Sequence, residues 1–333
     1  MSLRVLLAVA LLATAPLISP ACAEVSEVRI AQEFGISYLP LTVMHHEKLL
    51  EQAAAKVGIP DLRVSWTQFG AGNAMNDALL SDSLDFASGG VGPMLTIWSK
   101  TWGRQQVRAV AALNSMPLYL VTTDPKVKTI KDFTDQDKIA LPAVKVSIQA
   151  VTLEMAAAEA FGFDHYGQLD HLTVSMKHPD AMVALLAGHT EIAAHFGSAP
   201  FQYEEVDKGA HRVLSSYDVL GGPHTFNVVW TTEKFHDANP TVYAAFLAAL
   251  DQAMALIKAD PKRAAAIYID EEKSKLPPDF VEKMIRDPEN VFTTQPQRVM
   301  KYAAFMHKIG AIENMPKTAS ELFFPEVRVV GAN

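Results

Sequence analysis

The feature that most constrains this chain is a unit of strand, glycine- or serine-rich loop and helix that recurs along it. Residues 28–31 read as a strand that runs through Gln32-Glu33-Phe34-Gly35 into a helix. Ser37 is placed to cap that helix, and Pro40 falls in the first turn, where a missing N–H costs little. Leu39, Val43 and Leu50 keep helical spacing up to a stop at Gly58-Ile59-Pro60. A second strand over 62–66 leads to Gly70-Ala71-Gly72-Asn73, which opens a second helix. A third over 84–87 leads through Ser88-Gly89-Gly90-Val91-Gly92-Pro93 to a helix from Met94. Such alternation predicts an α/β fold with mainly parallel sheets and helices on their faces.

The pattern then restarts. Strands over 108–113 and 118–123 precede Ile130-Lys131-Asp132-Phe133, a strand over 138–141, a helix over 147–161, a strand over 170–174 and a helix over 179–187. A strand over 192–196 enters Gly197-Ser198-Ala199-Pro200 and a helix from Phe201. Residues 226–232 read as a return strand, and from Asn239-Pro240 the chain is helical. One α/β unit inserted into another makes two lobes. The first is 24–115 with 226–333, including the C-terminal helices; the second is 116–225. Two crossings near 113–120 and 222–230 permit a hinge and limit twist. Ligands in such sheets sit beyond the carboxyl ends of strands, where helices begin.

Residues 1–23 have the form of an export signal. Arg4 supplies the positive end, an apolar run follows, and Ala21-Cys22-Ala23 is a small-x-small cleavage site. Cys22 is the only cysteine, and Ser19 upstream of it is a poor lipoprotein match. Cleavage after Ala23 therefore leaves a mature chain with no disulfide and no thiolate, which suits a bacterial periplasm. With 37 acidic and 29 basic residues and no basic stripe, nucleic acid is excluded as a partner, and no second apolar span is expected.

The strand-end loops hold the candidate chemistry. Helix starts present unpaired N–H groups and partial positive charge, so several aimed into one cleft would hold an anion without a buried lysine. Ser37, Ser88, Ser147 and Ser198 add hydroxyls there; His195 and His224 end strand or crossing segments, and Tyr38 offers a ring to stack on a ligand. Adjacent His45 and His46 project about 100° apart on a helix, so no shared metal is expected. There is no G-x-S-x-G, P-loop or complete G-x-G-x-x-G, so no catalytic residues and no cofactor are assigned. Asp85 is expected to brace its own turn rather than pair with Glu33.

Residues 35–40, 84–90, 130–133 and 195–201 together resemble the nitrate/taurine/alkanesulfonate-type (NitT/TauT) family of periplasmic substrate-binding proteins. The resemblance implies a type II two-lobed periplasmic-binding-protein fold and a monomer that hands a small molecule to an ABC permease in the inner membrane. Position by position, it marks Ser37, Tyr38, Ser88, Gly89, Gly90, Ser147 and Ser198 as cleft residues. Val146-Ser147 stands where relatives have glycine-serine, which brings Lys145 and Gln149 into consideration. The expected ligand is an anion of sulfonate, carboxylate or nitrate type. Glu33 sits awkwardly with that and points to a solute carrying a donor group, which leaves a neutral-to-cationic heterocycle open beside the sulfonate and carboxylate classes. The alternatives are an enzyme like the one that makes the thiamine pyrimidine, whose cysteine-rich iron-binding segment is missing here, and a ligand-binding partner of a membrane sensor.

Overall fold

The computed structural model describes residues 24–327 and 329, so the expected signal peptide lies outside the described residues. Strand β1 (Glu27–Gln32) runs parallel to β2 (Arg63–Gln68), Glu27 facing Arg63 and Gln32 facing Gln68. A parallel bridge from Ile30 to Phe86 joins β1 to β3 (Ala87–Gly90). β4 (Val107–Ala112) and β3 both pair antiparallel with β11 (Asn227–Thr232), giving the order β2-β1-β3-β11-β4. Between β4 and β11 in sequence lie β5 (Asn114–Ser115), β6 (Tyr119–Thr122), β7 (Lys138–Leu141), β8 (Thr173–Ser175), β9 (Ile192–Gly197) and β10 (His211–Ser215). Five of these form the second lobe's sheet, in the order β10-β6-β9-β7-β8. β12 (Val291–Phe292) pairs with β5.

The α/β architecture is as expected, with one difference in detail. Among the described residues, parallel ladders join β1 to β2, β7 to β8 and β7 to β9, with single parallel bridges from Ile30 to Phe86 and from Ala109 to Phe323. The strands that carry the chain between lobes, β6 and β11, run antiparallel to their neighbours.

Local sequence accounts for most elements and for two departures. Helix α1 (Leu39–His46) starts after a short 3-10 turn at Ile36–Tyr38, so Tyr38 occupies the cap position and Ser37 caps nothing. The expected continuous helix breaks at Lys48, whose φ of 50° is left-handed, and restarts as α2 (Leu49–Lys56). The break lets Leu49, Leu50, Ala53 and Ala54 face the core on a new axis. The second departure is β3, a strand where a loop is expected. Gly89 has no room for a side chain, because a Cβ there would lie 3.0 Å from Glu33 Oε1 and 3.1 Å from the Trp230 ring.

α3 (Gly72–Leu80), α4 (Val91–Thr101) and α5 (Ile148–Phe161) follow strand ends. α6 (His178–Ala187), α7 (Phe201–Asp207) and α8 (Ser216–Leu220) complete the second lobe. α9 (Glu233–Ala238), α10 (Pro240–Ala259), α11 (Pro261–Glu271), α12 (Pro278–Arg286) and α13 (Val299–Lys308) make the helical tail. α10 is long and apolar enough to cross a membrane, where the sequence suggests no such segment. Its Phe246, Ala249, Leu250 and Ala253 are fully buried in a core shared with Leu50, Ala54 and Phe86, as befits a central core helix. Its first turn is capped by the Glu24 carboxylate, which accepts from the N–H groups of Thr241 and Val242 at 2.9 and 2.8 Å.

Asp85 braces the neighbouring strand, not its own turn. Its carboxylate accepts from the Arg29 backbone N–H, Nε and Nη2 at 2.8, 2.9 and 2.7 Å. It is therefore unavailable as a partner for Glu33.

Candidate functional site

Three helix N-termini meet where the two lobes face each other. Gly72 at the start of α3, Gly90 and Pro93 at the start of α4, and Ser147, Ile148 and Gln149 at the start of α5 line one hollow with Glu33, Pro142 and Phe226. The lobes are shut on it. The space left is about 10 Å³, no more than one water occupies, so a solute enters only when the lobes part. Ile36 N–H donates to Ala199 O at 3.1 Å across the rim, and a Cβ on Gly35 would come within 2.7 Å of that same oxygen. The close approach and a φ of 115° both require glycine at position 35.

Glu33 dominates the hollow. It leaves the end of β1 and is buried, with the Gly72 backbone N–H and the Tyr38 phenol as the donor groups beside its carboxyl. Burial raises its pKa to about 8, against the pull of those two donors. A Cβ on Gly72 would lie 3.3 Å from its Oε1. The carboxyl thus occupies the point on which the helix dipoles converge. Among the described residues lining the hollow, none is lysine or arginine.

The sequence-derived candidates divide by this geometry. Gly90, Ser147 and Gln149 line the hollow, and Gly89 packs beneath Glu33. Ser147 also caps α5, accepting from Ala150 N–H at 3.2 Å. Tyr38 reaches the site through Glu33. Ser37 is buried behind it, accepting from Asn227 Nδ2 at 3.0 Å. Ser88 Oγ donates to Ala31 O at 2.7 Å. Ser198 Oγ is buried with no partner among the described residues.

His224 is not at the hollow. It lies between Tyr217 and Tyr302, its Nδ1–H donating to Thr225 O at 2.9 Å and its Nε2 2.8 Å from Ser216 Oγ. His195 also stands behind the site, in a buried chain. Its Nδ1 is 2.6 Å from Glu205 Oε1, its Nε2 is 2.8 Å from His178 Nδ1, and His178 Nε2 is 3.2 Å from the Gln149 amide. Burial pushes Glu205 up to about 9 and His195 down to about 3. The 2.6 Å contact therefore joins a neutral acid to a neutral imidazole. The chain holds Gln149 from behind. Residues 178 and 205 carry no sequence signal for this, because only the β9–α7 and α6 packing brings them to His195.

These groups fix the sign of the pH dependence. Glu33 and Glu154 at about 8 and Glu205 at about 9 all sit above the ordinary carboxyl value through burial. The folded state then binds protons that the unfolded state has released, so their contribution is complete below about pH 4.5 and is lost as pH rises through 8–9. His195 and His224, pushed down to about 3 and 4, act below pH 6.5 instead. The melting temperature should fall steadily from pH 7 to 9, and less steeply in Glu205→Gln. A flat profile in the wild type would contradict the buried-carboxyl assignment.

Two lobes of α/β sheet joined by crossing strands, with a hollow at strand ends between them, define the periplasmic-binding-protein fold. The model of the NMT1-like family matches residues 21–269, and the chain belongs to that family. The alkanesulfonate-binding protein SsuA from Xanthomonas axonopodis pv. citri bound to MOPS superposes with a TM-score of 0.69 at 21% identity, over 89% of this chain and 96% of that one. The periplasmic aliphatic sulphonate-binding protein SsuA from Escherichia coli gives 0.65 at 18%, over 89% and 97%. The periplasmic nitrate-binding protein NrtA from Synechocystis PCC 6803 gives 0.66 at 17%, over 90% and 84%. At these identities the likeness establishes the fold, and it agrees with the sequence resemblance. No curated protein matches the chain.

Proposed function

We propose that this protein is the solute-binding component of an ATP-driven importer, working as a monomer in the periplasm once residues 1–23 are removed as a signal peptide. The proposed lobes are 24–115 with 226–333, and 116–225, hinged near 113–120 and 222–230. The solute bridges them at Glu33, Gly90, Ser147 and Gln149, and the closed form is what an ABC permease recognises. Membership of the NMT1-like family and the likeness to sulfonate- and nitrate-binding proteins support a binding role over an enzymatic one.

The observation that carries the ligand class is Glu33 at the convergence of three helix N-termini. A carboxyl already there meets the positive potential that a bare oxyanion would need. The solute is therefore one that offers an N–H donor or a cationic group to Glu33. The second reading keeps the oxyanion and has Glu33 stay protonated to donate to it, which its raised pKa favours. The two differ in sign. A donor or cation ionises Glu33 and binds more tightly as pH rises through about 8, and an oxyanion binds less tightly. Calorimetry of the bound solute at pH 6, 7, 8 and 9 reads that slope, and Glu33→Gln should flatten it. A slope unchanged in Glu33→Gln would remove Glu33 from the site.

A further inference from the structure

We propose that His45, His46, Asp270 and Glu271 form a site for a borderline divalent cation such as Zn²⁺, on the surface of the first lobe. The two histidines are the last residues of α1 and Glu271 is the last of α11. Adjacent positions at a helix end should diverge, yet here both rings turn to one carboxylate. His45 Nδ1 is 3.1 Å from Glu271 Oε2, and His46 Nδ1 is 2.9 Å from Oε1 and 4.0 Å from Asp270 Oδ2. The carboxylate of Glu271 has the width to reach both rings, which the helical-projection argument leaves out.

The donor atoms of His46, Asp270 and Glu271 all lie within 4.8 Å of one another. An ion with bonds of about 2.0–2.2 Å spans donors separated by roughly 3–4 Å, so small side-chain rotations complete the shell. Mixed imidazole and carboxylate donors suit zinc-like ions over magnesium. Nearby cations leave the donors available. Arg263 is held by Glu47 at 2.8 Å, and Lys273 approaches Asp270 at Oδ1, leaving Oδ2 toward His46.

A second observation points to the same place. His45 and Glu271 form one wall of a hollow of about 170 Å³ with Thr42, Trp66, Gln68 and Glu272. Trp66 and Gln32, which both line it, carry polar atoms, Nε1 and Oε1, that are buried without partners among the described residues. The His45 ring is steadied 5.2 Å from that of Trp66.

The test uses tag-free mature protein titrated with ZnCl₂ by calorimetry, with MgCl₂ as control. One equivalent of zinc should bind with a rise in melting temperature, and magnesium should give neither. His46→Ala and Glu271→Gln, both at the surface, should each weaken zinc at least about tenfold and leave the metal-free melting temperature near wild type. His189→Ala, an exposed histidine elsewhere, should bind as wild type does. Cobalt substitution adds a fold-independent readout, the visible bands of an imidazole-ligated ion, which should disappear in His46→Ala. No zinc binding, or binding unchanged in both variants, overturns the proposal.

Discussion

Gly90→Val is expected to hold the two lobes apart and weaken solute binding at least about a hundredfold, with the fold intact. Gly90 ends β3 in the first lobe and faces the start of α5 in the second. A Cβ there would come 2.6 Å from Ile148 Cγ2 and 2.9 Å from Ile148 Cβ. Neither partner has slack: Ile148 is buried in the first turn of α5, and Gly90 lies in register opposite Asn227 in β11, with the next residue, Val91, donating its N–H to Phe226 O at 3.1 Å. The overlap exists only when the lobes are shut, so opening relieves it. A solute that must prefer the closed form to bind loses that preference in proportion to the closed population. Small-angle scattering should report an expanded variant, and thermal melting should stay within a few degrees of wild type. A compact variant with normal affinity would mean that closure on Gly90 plays no part.

Phe246→Ala is expected to lower stability by about 3–5 kcal/mol. The ring is fully buried at the middle of α10 and stacks on Phe86 at 4.2 Å and 6°. Phe86 in turn meets Phe235 edge-on at 5.1 Å. These three aromatic rings join α10 and α9 to the strand entry at residue 86, so the cavity left by alanine has stiff walls and cannot collapse. Denaturant unfolding measures the loss. A change below about 1 kcal/mol would show that the helical tail contributes little to the first lobe's core.

Much of the fold could be read in the residues because it is local. Strand, glycine or serine, then helix is written within ten or so positions, as at Gly70 to Asn73 before α3 and at Ser147 before α5. Elements that depend on distant contacts were not legible. β3 forms because β11, some 140 positions on, lies beside a glycine pair. α1 ends early because Lys48 takes a left-handed turn that no residue pattern announces.

The site followed the same rule. Gly90, Ser147 and Gln149, candidates by loop position, line the hollow, whereas His195 and His224, candidates by type and place, lie in buried hydrogen-bonded chains away from it. Glu33 stood out in the sequence as a misfit. The structure explains the misfit, because it is the one carboxyl among the described residues of the hollow. Pro142 and Phe226 had no chemical signature at all, since they contribute only shape.

The most direct test of the account is a thermal-shift panel on the mature protein, run beside Gly90→Val. The solutes are agmatine, guanidinium and aminopyrimidines on one side, and taurine, MOPS and nitrate on the other. A ligand at a hundred times its Kd adds about 2.7 kcal/mol, a clear rise in melting temperature. Nitrogen-donor solutes should raise the melting temperature, and Gly90→Val should abolish that rise. A rise from the oxyanions alone would overturn the ligand class and keep the clamp. If no solute raises the melting temperature, or the rise persists undiminished in Gly90→Val, capture of a solute between the lobes is contradicted.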